Sequence, residues 1–243
     1  MDREAYDSLR DSQQKHWWFT GRRAVIRRLI SNHIPTSNQP AILEAGCGYG
    51  GNLSLLQEFG EVSAFEYDDD ARQYASQTAD IDVVPGMLPG GIDMGSQRFE
   101  VIAMLDVLEH IEEDTASLKT LRGLLKADGK ILITVPAFPW LWSKHDELHH
   151  HKRRYSRGGL AKAIADAGLE LERIGYFNSL LFPLALAERA ISKVADRPAS
   201  HTAPAKPVNA ALAKTFGLEQ YLIGKVPMPF GLSLFAIAKQ AGR

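Results

Sequence analysis

The strongest constraint on the fold is an alternation. Short β-rich runs at 41–46 (AILEAG), 61–67 (EVSAFEY), 82–85 (DVVP), 99–105 (FEVIAML), 129–136 (GKILITVP), 169–177 (LELERIGYF) and 232–240 (LSLFAIAKQ) are separated by stretches with helical spacing of apolar residues. One such stretch, EEDTASLKTLRGLLK, sets Leu118, Leu121, Leu124 and Leu125 at helical spacing. Another, RGGLAKAIADAGL, closes at Gly168 in the manner of a helix C-cap. Strands that take turns with helices predict an α/β domain, a largely parallel sheet covered on both faces to make three layers. Seven runs fit one open sheet.

Two segments depart from the alternation. Ahead of the first strand, HWWFTGRRAVIRRLISNHI reads as an amphipathic helix followed by a loop, PTSNQP, which makes residues 1–38 an N-terminal helical cap. Residues 39–177 then form the core, 178–228 a helical insertion, and 229–243 the last strand. The insertion carries two apolar helical patterns on either side of a Pro/Ala/Ser-rich linker, 195–207, and reads as a lid or a docking surface. Its first half places Leu180, Leu181, Leu184, Ala187, Ile191 and Val194 near one helical face. That pattern favours packing on its own domain and leaves open a peripheral membrane contact through 178–228.

Composition narrows the function classes. The chain has 243 residues, 45% hydrophobic and 23% charged, enough for one sizeable core. A formal charge of −1 offers no global handle for nucleic acid, so no nucleic-acid partner is expected. Cys47 is the single cysteine, which excludes an intrachain disulfide, and the start of the chain lacks a basic-then-apolar signal pattern. The longest apolar run, 180–187, is far short of the roughly 20 residues that span a bilayer. A cytoplasmic location, at most peripheral to a membrane, is the expectation.

Chemistry concentrates at strand exits, where open α/β sheets bind ligands. ILEAGCGYGGNL places one acid, Glu44, in an apolar run and then Gly46, Gly48, Gly50 and Gly51 in the turn. Glycines allow a tight turn and close approach of a ligand to backbone. A carboxylate inside a buried strand is costly unless paired. A cationic ligand would pair it and a pyrophosphate would be repelled, which favours S-adenosylmethionine over a nicotinamide dinucleotide; local satisfaction by backbone or an arginine is the competing account. Glu66, twenty positions after Gly46, stands where an acid can accept both ribose hydroxyls. Asp68, Asp69 and Asp70 read as a helix N-terminus, and the fourth exit gives Asp106 followed by Glu109 and His110.

Glu44-x-Gly46-x-Gly48, then FEYD, LDVLEHI and GKILITVPA, resembles the class I S-adenosylmethionine-dependent methyltransferases, in the type 11 branch related to quinone biosynthesis, over about residues 40–177. The resemblance implies a Rossmann-like seven-stranded sheet with an antiparallel last strand. It implies that Glu44, Gly46, Cys47, Gly48 and Gly50 hold the methionine part, that Glu66 with Tyr67 holds the ribose, and that Asp106, Val107 and His110 lie near the transferred methyl. Many relatives place Gly-Asp before Leu-Pro after the third strand. This chain has PGMLPG, so the adenine amino group is left to backbone contacts around Met87 and Leu88.

The least ordinary stretch is VPAFPWLWSKHDELHHHKRRYSRGGL, 135–160, which leaves the sheet on the same edge. Three readings compete for it. His145 and His149, four apart, could share a metal with a nearby acid, but five basic groups oppose a cation, so no metal and chelator-resistant activity are expected. A structural reading folds the loop onto the N-terminal HWWF through local ion pairs. The third is substrate handling: Arg153 or Arg154 clamps an anionic group, and one of His145, His149, His150 and His151 acts as or positions a general base, with Tyr155 also a candidate. Trp17, Trp18, Phe19 and Trp142 are candidate pocket walls. The leading expectation is methyl transfer to oxygen on a small-molecule, glycan or lipid-linked acceptor. A nicotinamide-dependent oxidoreductase and a non-catalytic cofactor-binding scaffold are the alternatives.

Overall fold

A computed structural model describes residues 10, 12–13, 15–34, 39–195 and 204–241. Residues 35–38 of the expected loop and 196–203 of the expected linker lie outside the described residues. From Trp17 onward the described elements are helix α1 (Trp17–His33), β1 (Ala41–Ala45), α2 (Leu53–Gln57), β2 (Glu61–Glu66), α3 (Asp69–Ala79), β3 (Val83–Pro85) and β4 (Phe99–Leu105). Then follow α4 (Asp114–Leu124), β5 (Leu125–Pro136), α5 (Lys144–Leu148), α6 (Arg157–Asp166), β6 (Leu169–Phe177), α7 (Phe182–Ala195), α8 (Lys206–Gly217) and β7 (Ser233–Gln240).

The seven strands form one sheet in the order β3-β2-β1-β4-β5-β7-β6. β7 runs antiparallel to both β5 and β6, and the remaining pairs are parallel, as the resemblance implied. β5 begins at Leu125 rather than Gly129, because Leu125 pairs with Phe99 ahead of a register shift in the β4–β5 ladder.

Alternation of side chains along each strand divides the core between two faces. Leu43, Ile102, Met104, Ile131 and Ile133 pack with Leu118 and Leu121 of α4 and Leu160 and Ile164 of α6. Ile42, Val62, Ala64, Val101 and Leu132 face the other way, onto Val25, Ile26, Leu29 and Ile30 of α1 and Phe216 of α8. Both faces are therefore dry, which is why the strands read as apolar runs. The buried face of α1 also includes Arg22, and a buried guanidinium must find partners. Strand order reverses between β1 and β4, so the cleft forms at the carboxyl ends of those two strands.

Candidate active site

At the exit of β1 the glycine loop turns back under β2. Gly46 and Gly48 take φ of +71° and +54°, a region that penalises any side chain. A Cβ on Gly46 would lie 3.0 Å from the Val107 side chain, whereas one on Gly48 would project into open space. The amides of Gly46 and Cys47 donate to the Phe65 carbonyl at 3.0 and 3.1 Å. Glu66 completes the staple: its Oε2 accepts from Gly48 N at 2.7 Å, and its Oε1 from Tyr67 N and Asp68 N at 2.8 and 2.9 Å. Backbone amides thus occupy about three of the four lone-pair positions of this carboxylate. Glu66 shapes the loop in addition to the ribose role implied by resemblance.

Glu44 is buried in β1 with one oxygen satisfied, Oε1 accepting from Asn52 Nδ2 at 2.8 Å. Its Oε2 is buried with no hydrogen-bond partner among the described residues, a condition that costs about 1–3 kcal/mol. Burial pushes the Glu44 carboxyl up to about 7, against the opposing Asn52 bond and Arg22 charge, and Glu66 adds to the rise. Arg22 reaches the same place from α1. Its Nη1 donates to Asn52 Oδ1 at 3.2 Å, its Nη2 forms an ion pair with Asp106 Oδ2, and its guanidinium carbon stands 5.0 Å from the Trp18 ring centroid. Thr134 Oγ1 donates to the same Asp106 oxygen at 3.1 Å. The Arg22 Nε is buried without a partner among the described residues. Glu44, Asn52, Arg22, Asp106 and Thr134 therefore form one connected polar cluster, of which sequence reasoning found only the two acids. The missed signal was Arg22 at buried-face spacing with Val25, Ile26 and Leu29.

Strain gathers along this edge. Asp106 after β4, Phe138 after β5 and Asn178 after β6 have φ of +57°, +60° and +57°. Left-handed backbone at a non-glycine residue costs on the order of 1–3 kcal/mol and clusters at functional sites.

A second polar cluster lies where the β4 and β5 exits meet. Asp146 opens α5 through a capping box, its Oδ2 accepting from Ser143 N at 2.9 Å and Oγ at 3.1 Å. Its Oδ1 lies 2.9 Å from His151 Nδ1 and 2.7 Å from Arg154 Nε. Burial disfavours the Asp146 charge, but the His151 and Arg154 contacts outweigh it and hold this carboxyl below the usual range. An ionised Asp146 makes His151 Nδ1 the proton-bearing nitrogen, so the neutral ring keeps its lone pair on Nε2. His151 meets His110 edge to face, with ring centroids 4.6 Å apart. Burial, followed by the neighbouring His151 and His149, lowers His110 to about 3. Glu109 is buried beside them with Oε2 unpartnered among the described residues, and burial together with the Asp106 charge raises its carboxyl well above the ordinary value.

The other sequence candidates divide between site and scaffold. His149 is buried, His145 and His150 are exposed, and the rings of His145 and His149 stand 4.3 Å apart. Tyr155 donates to Asp114 Oδ2 at 2.8 Å, and burial plus that acid push its phenol up. Arg153 pairs with the same Asp114 oxygen at 3.1 Å and donates to the Glu112 carbonyl at 2.8 Å. Arg154 binds Asp146 and the Ala137 carbonyl. These bonds commit both arginines to internal partners outside the N-terminal HWWF segment. Trp142 Nε1 donates to Glu147 at 3.4 Å. Trp18 flanks Arg22 and meets Phe19 at 4.9 Å, whereas Trp17 packs edge-on against Phe216 of α8. Tyr67 and Met87 are exposed at the β2 and β3 exits, and Leu88 is buried. Sequence reasoning also missed Arg189 of α7, whose Nη1 is buried without a partner among the described residues and which senses the charges of Arg154 and Asp146.

Comparison with known proteins bears on the family and the fold. Residues 18–174 match the family model of a methyltransferase domain, which does not single out the quinone-biosynthesis branch. An uncharacterized methyltransferase of Staphylococcus carnosus (strain TM300) is 30% identical over 127 residues, 51% of this chain and 60% of that protein. The chain therefore spans less than two thirds of that relative's length. A candidate methyltransferase of Bacillus halodurans C-125 superposes with a TM-score of 0.61 at 14% identity, over 90% of this chain and 99% of that one. The candidate methyltransferase in complex with the Trm112 methyltransferase activator of Haloferax volcanii gives 0.62 at 16% identity, over 99% and 98%. At these identities the two structures speak for the fold.

Proposed function

Because the chain belongs to the class I S-adenosylmethionine-dependent methyltransferases through its methyltransferase domain, we propose that it methylates a hydroxyl oxygen of a small-molecule, glycan or lipid-linked acceptor. The cofactor, when bound, supplies a methyl group already activated on a sulfonium. Its amino-acid part is a zwitterion, and the cleft offers complementary groups: the unpartnered Glu44 oxygen suits the ammonium and the Arg22 guanidinium suits the carboxylate. A pyrophosphate would meet the Glu44 charge instead, which weighs against a nicotinamide cofactor. Glu66 and the glycine loop bring backbone close to the ribose side.

The observation that carries the oxygen reading is the Asp146-backed His151 set against Glu109 and His110, next to Asp106. A hydroxyl is a poor nucleophile until its proton is removed, whereas a neutral amine or a thiolate needs no such help. Alignment and exclusion of water supply the remainder of the rate. The acceptor's apolar portion has a surface at hand: Trp140, Leu180, Leu184 and Phe230 are exposed, and the mutually tilted rings of Phe138, Phe182 and Phe230, with centroids 5.7 and 5.1 Å apart, connect them to the β5 and β6 exits. That surface supports a lipid-linked acceptor met at a membrane face through 178–228; among the described residues no helix is long and apolar enough to cross a membrane.

Labelled methyl transfer to matched hydroxyl and amine acceptors tests the reading. Hydroxyl compounds are expected to be turned over, and His151→Gln to reduce turnover about 10²–10⁴-fold with cofactor affinity retained. Turnover of amines alone would overturn it. Flotation with liposomes tests the membrane contact separately.

A further inference from the structure

The sequence-based expectation of a metal-free site was formed on His145 and His149 and did not weigh residues brought together from two different strand exits. Glu109, His110 and His151 each offer a ligand atom, and these atoms all lie within 4.8 Å of one another. We propose that these three residues bind one divalent transition-metal ion beside the methyl-transfer cleft.

Four features support the assignment. Two imidazoles and one carboxylate are a donor set for the ions from manganese to zinc, and three protein ligands leave positions open for a substrate oxygen. Ligands at about 2.0–2.2 Å from an ion stand up to about 4 Å apart, so closure requires shifts of less than about 1 Å. The buried Glu109 Oε2 has no partner among the described residues, and a cation would supply one. Asp146 behind His151 repeats the arrangement of carboxylate, histidine and metal in which an outer acid fixes the tautomer of a ligand.

The two loop arginines, Arg153 and Arg154, are each paired with an acid, and Lys144, Lys152 and Arg157 are exposed to solvent. Arg154 is neutralised by Asp146 at 2.7 Å, and Arg153 by Asp114 at 3.1 Å with Glu112 at 3.6 Å. Arg22 is likewise paired with Asp106. Glu109 is the one acidic ligand of the three, and a bound cation would favour its ionised form. With an ion in place the His151 lone pair goes to the metal, so the ion takes over activation from His151: an acceptor hydroxyl bound at an open position becomes a stronger acid, its proton leaving to solvent and its oxygen keeping the electron pair that attacks the methyl carbon. This use of the ion rests on the oxygen-acceptor reading, whereas its binding does not.

The test is titration of chelator-treated, dialysed protein with Zn²⁺, Mn²⁺ and Mg²⁺, read by calorimetry and thermal shift, with visible absorption of Co²⁺ as a ligand-field signature. One Zn²⁺ or Mn²⁺ per chain is expected, Mg²⁺ binding far more weakly. Glu109→Gln and His151→Gln should each weaken the ion at least tenfold and alter the cobalt spectrum. Absence of stoichiometric binding overturns the proposal, as does binding that is unchanged in both variants. Because neither acceptor nor turnover enters this readout, failure of the ion site and failure of the oxygen reading are separable.

Discussion

Glu44 is the residue whose protonation should respond most to the cofactor. Burial raises its carboxyl from 4.5 to about 7. A raised folded-state value means that its contribution to stability, on the order of 3 kcal/mol, is full below about pH 4.5 and is lost as pH climbs through about 7. Cofactor binding has the opposite sign: a cationic group beside the unpartnered oxygen favours the ionised acid, so binding below pH 7 must expel a proton. Affinity for S-adenosylmethionine is therefore expected to fall as pH drops from 8 to 6, by up to about tenfold per unit at the acid end. Glu44→Gln should flatten that dependence, and calorimetry in buffers of different ionisation enthalpy would register the released proton directly. A wild-type profile as flat as the variant's would remove Glu44 from the cofactor site. This acid was legible in the sequence because it interrupts an apolar strand. Thr134 was not, since a β-branched residue in a strand looks like packing.

Among the elements, α1 does more than cover the sheet. Its apolar stripe docks Val25, Ile26, Leu29 and Ile30 on the core, and the same geometry carries Arg22 into the cleft. The sequence concealed this, because Arg22 stands among Arg23, Arg27 and Arg28 and looks like part of a solvated face. Arg22→Met should leave the partly buried Asp106 without its cation and cost about 1–3 kcal/mol of stability, measurable by chemical denaturation. Combining it with Asp106→Asn should recover much of that stability and none of the lost cofactor affinity. If the double variant binds cofactor as the wild type does, Arg22 is scaffold alone. The loop between β5 and β6 misled in the other direction. Its run of bases left an anion clamp and local ion pairs both open, and carboxylates from α4 and α5 pair with Arg153 and Arg154. Spacing along the chain could not foresee those pairs, nor the approach of His151 to Glu109 and His110, because β5 and the loop after it intervene.

For the molecule as a whole, the layered sheet was readable because strands buried on both faces write themselves as apolar runs, and the glycine turn marked the edge where ligands bind. What pattern could not convey was how the two additions to the sheet meet. α8 lies on α1: Asn209 accepts from Trp17 N at 2.9 Å and donates to the Lys15 carbonyl at 2.8 Å, while Trp17 meets Phe216 at 6.2 Å. A Cβ placed on Gly21 would fall 2.6 Å from the Phe216 side chain, and the next residue along is Arg22. The seam between these helices is consequently a tuning screw for a cleft it never touches. Gly21→Ala should force the helices apart and cost about 1–3 kcal/mol by overpacking, and calorimetry should find cofactor affinity lowered with every cleft side chain intact. Trimming the opposing ring by Phe216→Leu in the same chain should turn the screw back, restoring affinity from a position that no inspection of the cleft would nominate.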